Sequence, residues 1–334
     1  MKIVTPITIT NSQSASTPTP FQQIIQAPIL FQNGVRFWSP IDGYLYAWLE
    51  SIGSDGTATI WVSIPSSIPA GGTYQLYMIQ DSTLPMDGVY WGEAPQLSST
   101  YGQYDNGANV FIQYFNMQSN PVAYANVPTS DFVITTGAGP TGSSQPLLYS
   151  TYTGGQMIAT FTQAPSNYPS SFIVDAWTKT NGYGWDIGVG ASTTASAGNG
   201  YTVDPGADFN ADYVLWKISN FGSFGSVATV SYKQNPNTWY LNEFQYISGG
   251  TLKGYVQPWS NTLIGTSGSP VEVTGSDTTY TSFSSVLLFP YQNSPSYSYW
   301  SLVVVRAYPP NGVMPSVSFG SPQYSGELVT VTVP

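Results

Sequence analysis

The sequence predicts an all-β protein, with two jelly-roll-like β-sandwich domains in tandem. Three observations carry that expectation. No long stretch sets apolar residues at helical spacing, and strong helix formers are thinly spread. Short runs that alternate apolar and polar residues recur from end to end, punctuated by Gly, Pro, Asn and Ser. At 334 residues the chain is longer than one typical domain, so two cores are expected.

The strands follow in chain order. Ile3 to Thr10 alternates Ile or Val with Thr and opens the first domain. Thr57–Ile64 and Gly72–Ile79 keep the two-residue period of half-buried strands. Val110–Phe115 closes that domain, and the polar, Pro-bearing stretch 118–130 marks the boundary. The first domain is thus expected over 1–120 and the second over 128–320. Within the second, Ser171–Trp177 and Ser301–Tyr308 read as core strands. After the Gly320–Gly326 spacer comes Glu327–Val333, with Val329, Val331 and Val333 on one face and Thr330 and Thr332 on the other. An edge of that length needs a partner, so 326–334 is expected to pair with either domain or with a neighbouring subunit by strand addition.

Composition excludes several functions. Only 7% of residues are charged, against about a quarter in ordinary soluble proteins. With no His, and 17 acidic against 7 basic residues, most of the net charge of −10 would vanish in acid as carboxylates protonate. That suits an acidic exterior, as does a surface dressed in Ser, Thr, Asn, Gln and 25 Tyr. No Cys is present, which excludes disulfides and thiolate metal sites, and with no His either, Cys-His and Ser-His-Asp centres are excluded too. The scattered Lys and Arg make no nucleic-acid patch, and no apolar run reaches the ~18 residues of a membrane helix. The N-terminal residues show β-alternation broken by Pro6 in place of the apolar core of a signal peptide, and no Asn-x-Ser/Thr sequon occurs. Both point to a chain that reaches the outside by a route other than secretion.

Several stretches resemble a known group of proteins. "ITITNSQSASTPTPFQQII" (7–25), "VRFW" (35–38), "AWLES" (47–51), "IWVSIP…IPAGG" (60–72) and "YWGEAPQLSSTYGQYDNGANVF" (90–111) resemble an uncharacterised domain at the front of archaeal surface and viral proteins. "GNGYTV" (198–203), "TWYLNEFQY" (238–246) and "VVVRAYPPNGVMPSVSFG" (303–320) resemble a concanavalin/laminin-G-like jelly roll that follows it. The resemblance implies a virion surface protein of a thermoacidophilic archaeal virus (turret, spike or fibre) that attaches to the host. The alternative it leaves open is a subunit of an archaeal cell-surface filament, pilus, thread or adhesin. Its partners would be other virion or filament subunits, as a homo-oligomer, and host glycans or proteins.

Candidate sites follow from residue type. Sugars stack on aromatic rings while polar groups satisfy their hydroxyls, so Trp91, Trp185 and Trp259, each beside turn residues, are the candidate ligand contacts. Trp61, Trp177, Trp239 and Trp300 lie within expected strands and read as core. Asp204, Asp208, Asn210 and Asp212 make the best metal candidate, for calcium, since the last three alternate as EF-hand ligands do. The pattern then fails, because Tyr213 stands where Gly is needed and Ser219 where Glu is needed. Asp105-Asn106-Gly107 reads as a turn, and Glu93 as a structural hydrogen-bonder to backbone. No cluster of alternating carboxylates suggests a glycosidase: Asp175, Asp186 and Glu243 stand as isolated acids on expected strands. The expectation is a non-enzymatic protein without a resident cofactor.

Overall fold

A computed structural model of the chain describes residues 1–152, 154–164, 167–182, 187–206, 212–260, 262–293 and 297–324. Among these the architecture is all-β, as the sequence predicts, with only short helical turns. The chain forms two compact units, Met1–Phe111 together with Pro309 onward, and Ile112–Tyr308.

The first unit begins with β1 (Lys2–Thr10), β2 (Phe21–Pro28), β3 (Val35–Ser39) and β4 (Gly43–Leu45). It continues through β5 (Ala47–Ile52), β6 (Thr57–Ile64), β7 (Thr73–Asp81) and β8 (Trp91–Glu93). The alternation in β1 sets one face inward: Ile3, Thr5, Ile7 and Ile9 are buried, and Val4, Pro6 and Thr8 between them stay half-exposed. One sheet runs β1-β7-β3-β4 and the other β2-β6-β5-β8. Their inner faces meet in one core that holds Ile7, Ile9, Ile25, Phe37, Ile60, Val62, Leu76 and Trp91.

The second unit contributes β9 (Gln113–Phe115), β10 (Val122–Ala125), β11 (Phe132–Ala138), β12 (Ser144–Ser150), β13 (Gly154–Gln156) and β14 (Ala159–Phe161). Then come β15 (Phe172–Thr180), β16 (Ile187–Ser192), β17 (Gly200–Pro205), β18 (Asp212–Ser219) and β19 (Ser223–Ser231). It ends with β20 (Tyr240–Ile247), β21 (Thr251–Pro258), β22 (Val271–Ser276), β23 (Ser285–Asn293) and β24 (Ser298–Ala307). One sheet has the order β10-β14-β23-β16-β17-β18-β19 and the other β11-β12-β24-β15-β20-β21-β22. Val174 and Ala176, Val189 and Ala191, Tyr201 and Val203, Phe244, Leu288, Val303 and Val305 close the core between them. Burial of this kind, about 25 cal/mol per Å² of apolar surface, holds such a unit together without disulfides.

The domain boundary departs from the sequence expectation. Residues 309–320, assigned there to the second domain, belong to the first unit. They supply β25 (Ser316–Phe319), and β26 (Gln323–Tyr324) follows; both pair antiparallel with β1, Ile7 opposite Phe319 and Ile3 opposite Tyr324. The motif at 303–320 therefore straddles the two units: its apolar start is β24, and the Pro309-Pro310 step ends that strand. The expected strand at 326–334 lies outside the described residues.

Candidate functional site

The second unit's sheet β11-β12-β24-β15-β20-β21-β22 has two different faces. Side chains alternate along β15, so Val174, Ala176 and Thr178 point inward while Asp175, Trp177 and Lys179 occupy the outer face. The register repeats that division across the sheet. Tyr149 of β12 stands opposite Tyr299 of β24, and Tyr299 opposite Lys179 of β15. The Lys179 Nζ lies 5.4 Å from the Tyr299 ring centroid and 4.9 Å from that of Trp239, just before β20. Tyr149 stacks on Tyr299 at 5.6 Å and 24°, and Tyr297 meets Tyr149 edge-on at 6.1 Å. This row of three Tyr, one Lys and one Trp is half-buried, apart from the more deeply set Trp239, whose Nε1 donates to the Ala138 carbonyl at 3.1 Å. Burial lowers the Lys179 ammonium below its ordinary value.

Further along the same face the sheet is roofed by the segment after β21. Trp177 is fully buried, donates its Nε1 to the Leu263 carbonyl at 2.8 Å, and packs edge-on against Trp259 at 4.6 Å. A bulge in β24 falls opposite Trp177, where Ser301 and Leu302 together face this one residue of β15. One row on, Asp175 faces Glu243 across β15 and β20. Arg306 bridges them, with Nε 2.7 Å from Asp175 Oδ2 and Nη2 3.1 Å from Glu243 Oε2. The roof adds two donors: Gly265 N–H to Asp175 at 3.2 Å and Thr266 N–H to Glu243 at 3.1 Å. Gly265 adopts φ +78°, a turn that a Cβ would strain. Gln245 also donates to Glu243, at 2.5 Å. Burial, reinforced by the neighbouring Asp175, nevertheless raises the Glu243 carboxyl well above the usual range, against the pull of Arg306.

These carboxylates correct a sequence expectation. Asp175 and Glu243 are not isolated acids; adjacent strands bring them together, which the linear sequence cannot display. They are nearly fully buried beneath the roof, and Arg306 occupies the space between them, so they act as an ion cluster that ties a loop to a sheet.

A second ionic group in that unit joins β17 and β18 to the segment after β22. Asp277 accepts from the Tyr201 hydroxyl at 2.5 Å, from Lys217 Nζ at 3.0 Å and from the Thr279 amide at 2.8 Å. Partial burial would raise this carboxyl, but the hydrogen bonds from Thr279, Tyr201 and Lys217 outweigh it and hold it well below the usual carboxylate range.

The sequence-chosen residues scatter. Trp91 is a core residue and this corrects its assignment: it has no exposed surface, packs near Phe37 and donates to the Gln32 carbonyl at 2.7 Å. Its neighbouring turn residues suggested exposure, but β8, the edge strand paired parallel to β5, turns this ring into the core between the sheets. Trp259 is half-exposed on the outer face of the second unit, beside the Trp177 row. Trp185 lies outside the described residues, as do Asp208 and Asn210. Asp204 is buried at the end of β17 and accepts from Trp216 Nε1 at 3.2 Å, while Asp212 starts β18. Among the described residues no group of three or more His, Cys, Asp or Glu gathers around a point that could hold a metal ion. Trp61, Trp177 and Trp300 are buried within strands, as expected, and Trp239 is buried although it stands just before β20. Asn106 is buried and spans the Ala47 and Val89 carbonyls, so the Asp-Asn-Gly turn is a structural clamp. Glu93 accepts from side chains, Gln32 at 2.9 Å and Ser98 at 2.6 Å, where backbone partners were expected.

Sequence reasoning missed Tyr149, Lys179, Tyr297 and Tyr299. A signal was present, Tyr297-Ser298-Tyr299 with an alternate-position pair of rings, but only the register shows what they face. In the first unit, Ile3, Leu30, Met78, Phe319 and Tyr324 line an apolar groove of about 430 Å³ next to β26. Among the described residues no helix is long and apolar enough to cross a membrane.

Comparison with known proteins adds one relative. "Uncharacterized protein 562" of Sulfolobus islandicus rod-shaped virus 1 is 32% identical over 337 residues, covering 93% of this chain. The chain spans 58% of the length of that relative. No family model matches the chain. Among solved structures, a carbohydrate-binding module of Bacillus subtilis aligns over 49% of this chain and 92% of its own, at 14% identity and TM-score 0.31. The exoplasmic/lumenal domain of VIP36, bound to Ca²⁺ and a mannose glycan, aligns over 56% and 91%, at 10% identity and TM-score 0.38. Likeness this loose carries no argument about ligand or metal. The chain is thus similar, over nearly its whole length, to a protein of an archaeal rod-shaped virus.

Proposed function

We propose that the chain is a structural protein on the outer surface of an archaeal virus particle, a turret, spike or fibre, that touches the host. The observation that carries this reading is the viral relative, similar across 93% of the chain. The physical character of the molecule supports it. Two disulfide-free sandwich units with few charges depend little on the ionisation state of their surroundings. The half-exposed aromatic row on the second unit gives large amphipathic contact area at low entropy cost. Repetition of that row over many copies on one particle would convert weak contacts into firm attachment. Copies would join through residues 326–334 of one chain seated against a neighbour's first unit. Leu30, Phe319 and Tyr324 are exposed apolar side chains around the groove beside β26.

The test is location. Immunogold labelling of intact, purified particles of the virus that encodes the chain should decorate their exterior, and brief protease treatment should remove the label. Absence of the chain from purified particles would overturn the reading, and label on uninfected host filaments would favour the cellular alternative. Truncation after Ser325 should leave folded monomers that no longer assemble.

A further inference from the structure

The cations of this chain are few, and four of the described ones sit in ion pairs. Seven Lys and Arg face 17 acids. Arg36 pairs with Asp87, Lys217 with Asp277, Lys253 with Glu272, and Arg306 with Asp175 and Glu243. Lys179 differs. Among the described residues no carboxylate lies within ion-pair reach of it, and its contacts are the faces of Trp239 and Tyr299. Among the described residues, then, this cation is held by aromatic faces, Trp239 and Tyr299, rather than by a carboxylate.

We propose that the row Tyr149–Tyr299–Lys179–Trp239 binds an acidic polysaccharide, with Lys179 taking an anionic oxygen of a sulfate ester or uronate. This inference rests on the reading of the chain as a contact protein and names its ligand class. Sugar rings present apolar C–H faces, which match the half-exposed Tyr149, Tyr297 and Tyr299 rings, and the phenol hydroxyls offer donors and acceptors to sugar hydroxyls. The spacing favours a chain-like ligand: the row crosses β12, β24 and β15, neighbouring strands about 4.8 Å apart. Partial burial of the ammonium works in the same direction, since an incoming anion finds a charge less shielded by water than an exposed lysine.

The experiment uses the full chain against three immobilised polymers, dextran sulfate, polygalacturonate and neutral dextran, at pH 7 and pH 3 over a range of salt. At pH 7 both acidic polymers should bind at least tenfold more tightly than neutral dextran, and added salt should weaken them. At pH 3 the uronate polymer should lose its advantage as its carboxylates protonate, whereas the sulfate polymer should keep it. Lys179→Met should cost tenfold or more with an unchanged circular dichroism spectrum, Lys179→Arg should retain most binding, and Tyr299→Ala should weaken all acidic ligands. Lys253→Met, which removes a cation already paired with Glu272, should bind as the parent does. Equal binding of neutral dextran, binding of no polymer by the parent, or full binding by Lys179→Met would overturn the proposal. Each of these outcomes leaves the labelling of intact particles untouched, so the two readings fail separately.

Discussion

Two ionic clusters in the second unit answer acid in opposite directions. Asp277, with Lys217 and Tyr201, sits partly open to water and is held ionised by donors that surround it. Asp175 and Glu243 share Arg306 in a nearly closed space, where burial dominates and pushes Glu243 toward its protonated form. The ingredients are alike, carboxylates with a cation and loop amides. The difference lies in how many negative charges share one positive charge out of water. A carboxyl with a lowered native pKa contributes stability above its unfolded pKa, and loses it as pH falls through the native value. A carboxyl with a raised native pKa contributes stability below its unfolded pKa, and loses it as pH rises through the native value. Acid therefore weakens the first cluster progressively from the ordinary carboxylate range downward, and strengthens the second as pH falls from neutrality into that range.

The largest break in this comparison is Arg306→Met. It leaves two buried acids without their cation and should cost about 3–5 kcal/mol at pH 7 in urea titrations. Much of that loss should return by pH 4, where Glu243 is protonated; an equal loss at both pH values would contradict the account. Next, Glu243→Gln should flatten the pH dependence of stability between pH 4 and 8 by about 1.4 kcal/mol for each pH unit that the carboxyl was displaced. The variant should gain relative to the parent at the alkaline end. Tyr201→Phe should cost about 1 kcal/mol at neutrality by removing one donor to Asp277, and the cost should fade only in strong acid. Trp259→Ala removes the edge-on contact with Trp177 and should cost about 1 kcal/mol. Its sharper signature is faster hydrogen exchange at the Gly265 and Thr266 amides, with core strands unchanged.

Much of the fold was legible in the sequence, and less of the site. The two-residue alternation of 3–10 and of the start of 57–64 named strands that the structure contains, because burial of one sheet face imposes that period directly, while 171–177 was legible as an apolar run buried on both faces. Pairing partners leave no such local mark. Nothing in Ser316–Phe319 tells that its partner is β1, so the first unit's closing strand was given to the wrong domain. The same gap hid Asp175 beside Glu243, and Lys179 between Tyr299 and Trp239. Trp91 shows the converse error. Flanking turn residues predict a bend in the chain, and they are silent on whether the ring at the bend turns outward or into the core.

The return of β25 and β26 to β1 has a consequence for biosynthesis. The second unit is spliced into the first, so a ribosome releases all of it before the strand that completes the first sheet. Throughout that interval β1 keeps a bare margin, open to wrong partners. The middle of the chain can mature on its own schedule while the outer unit waits for its last piece, and premature termination upstream of residue 316 would strand a sheet with one side unzipped.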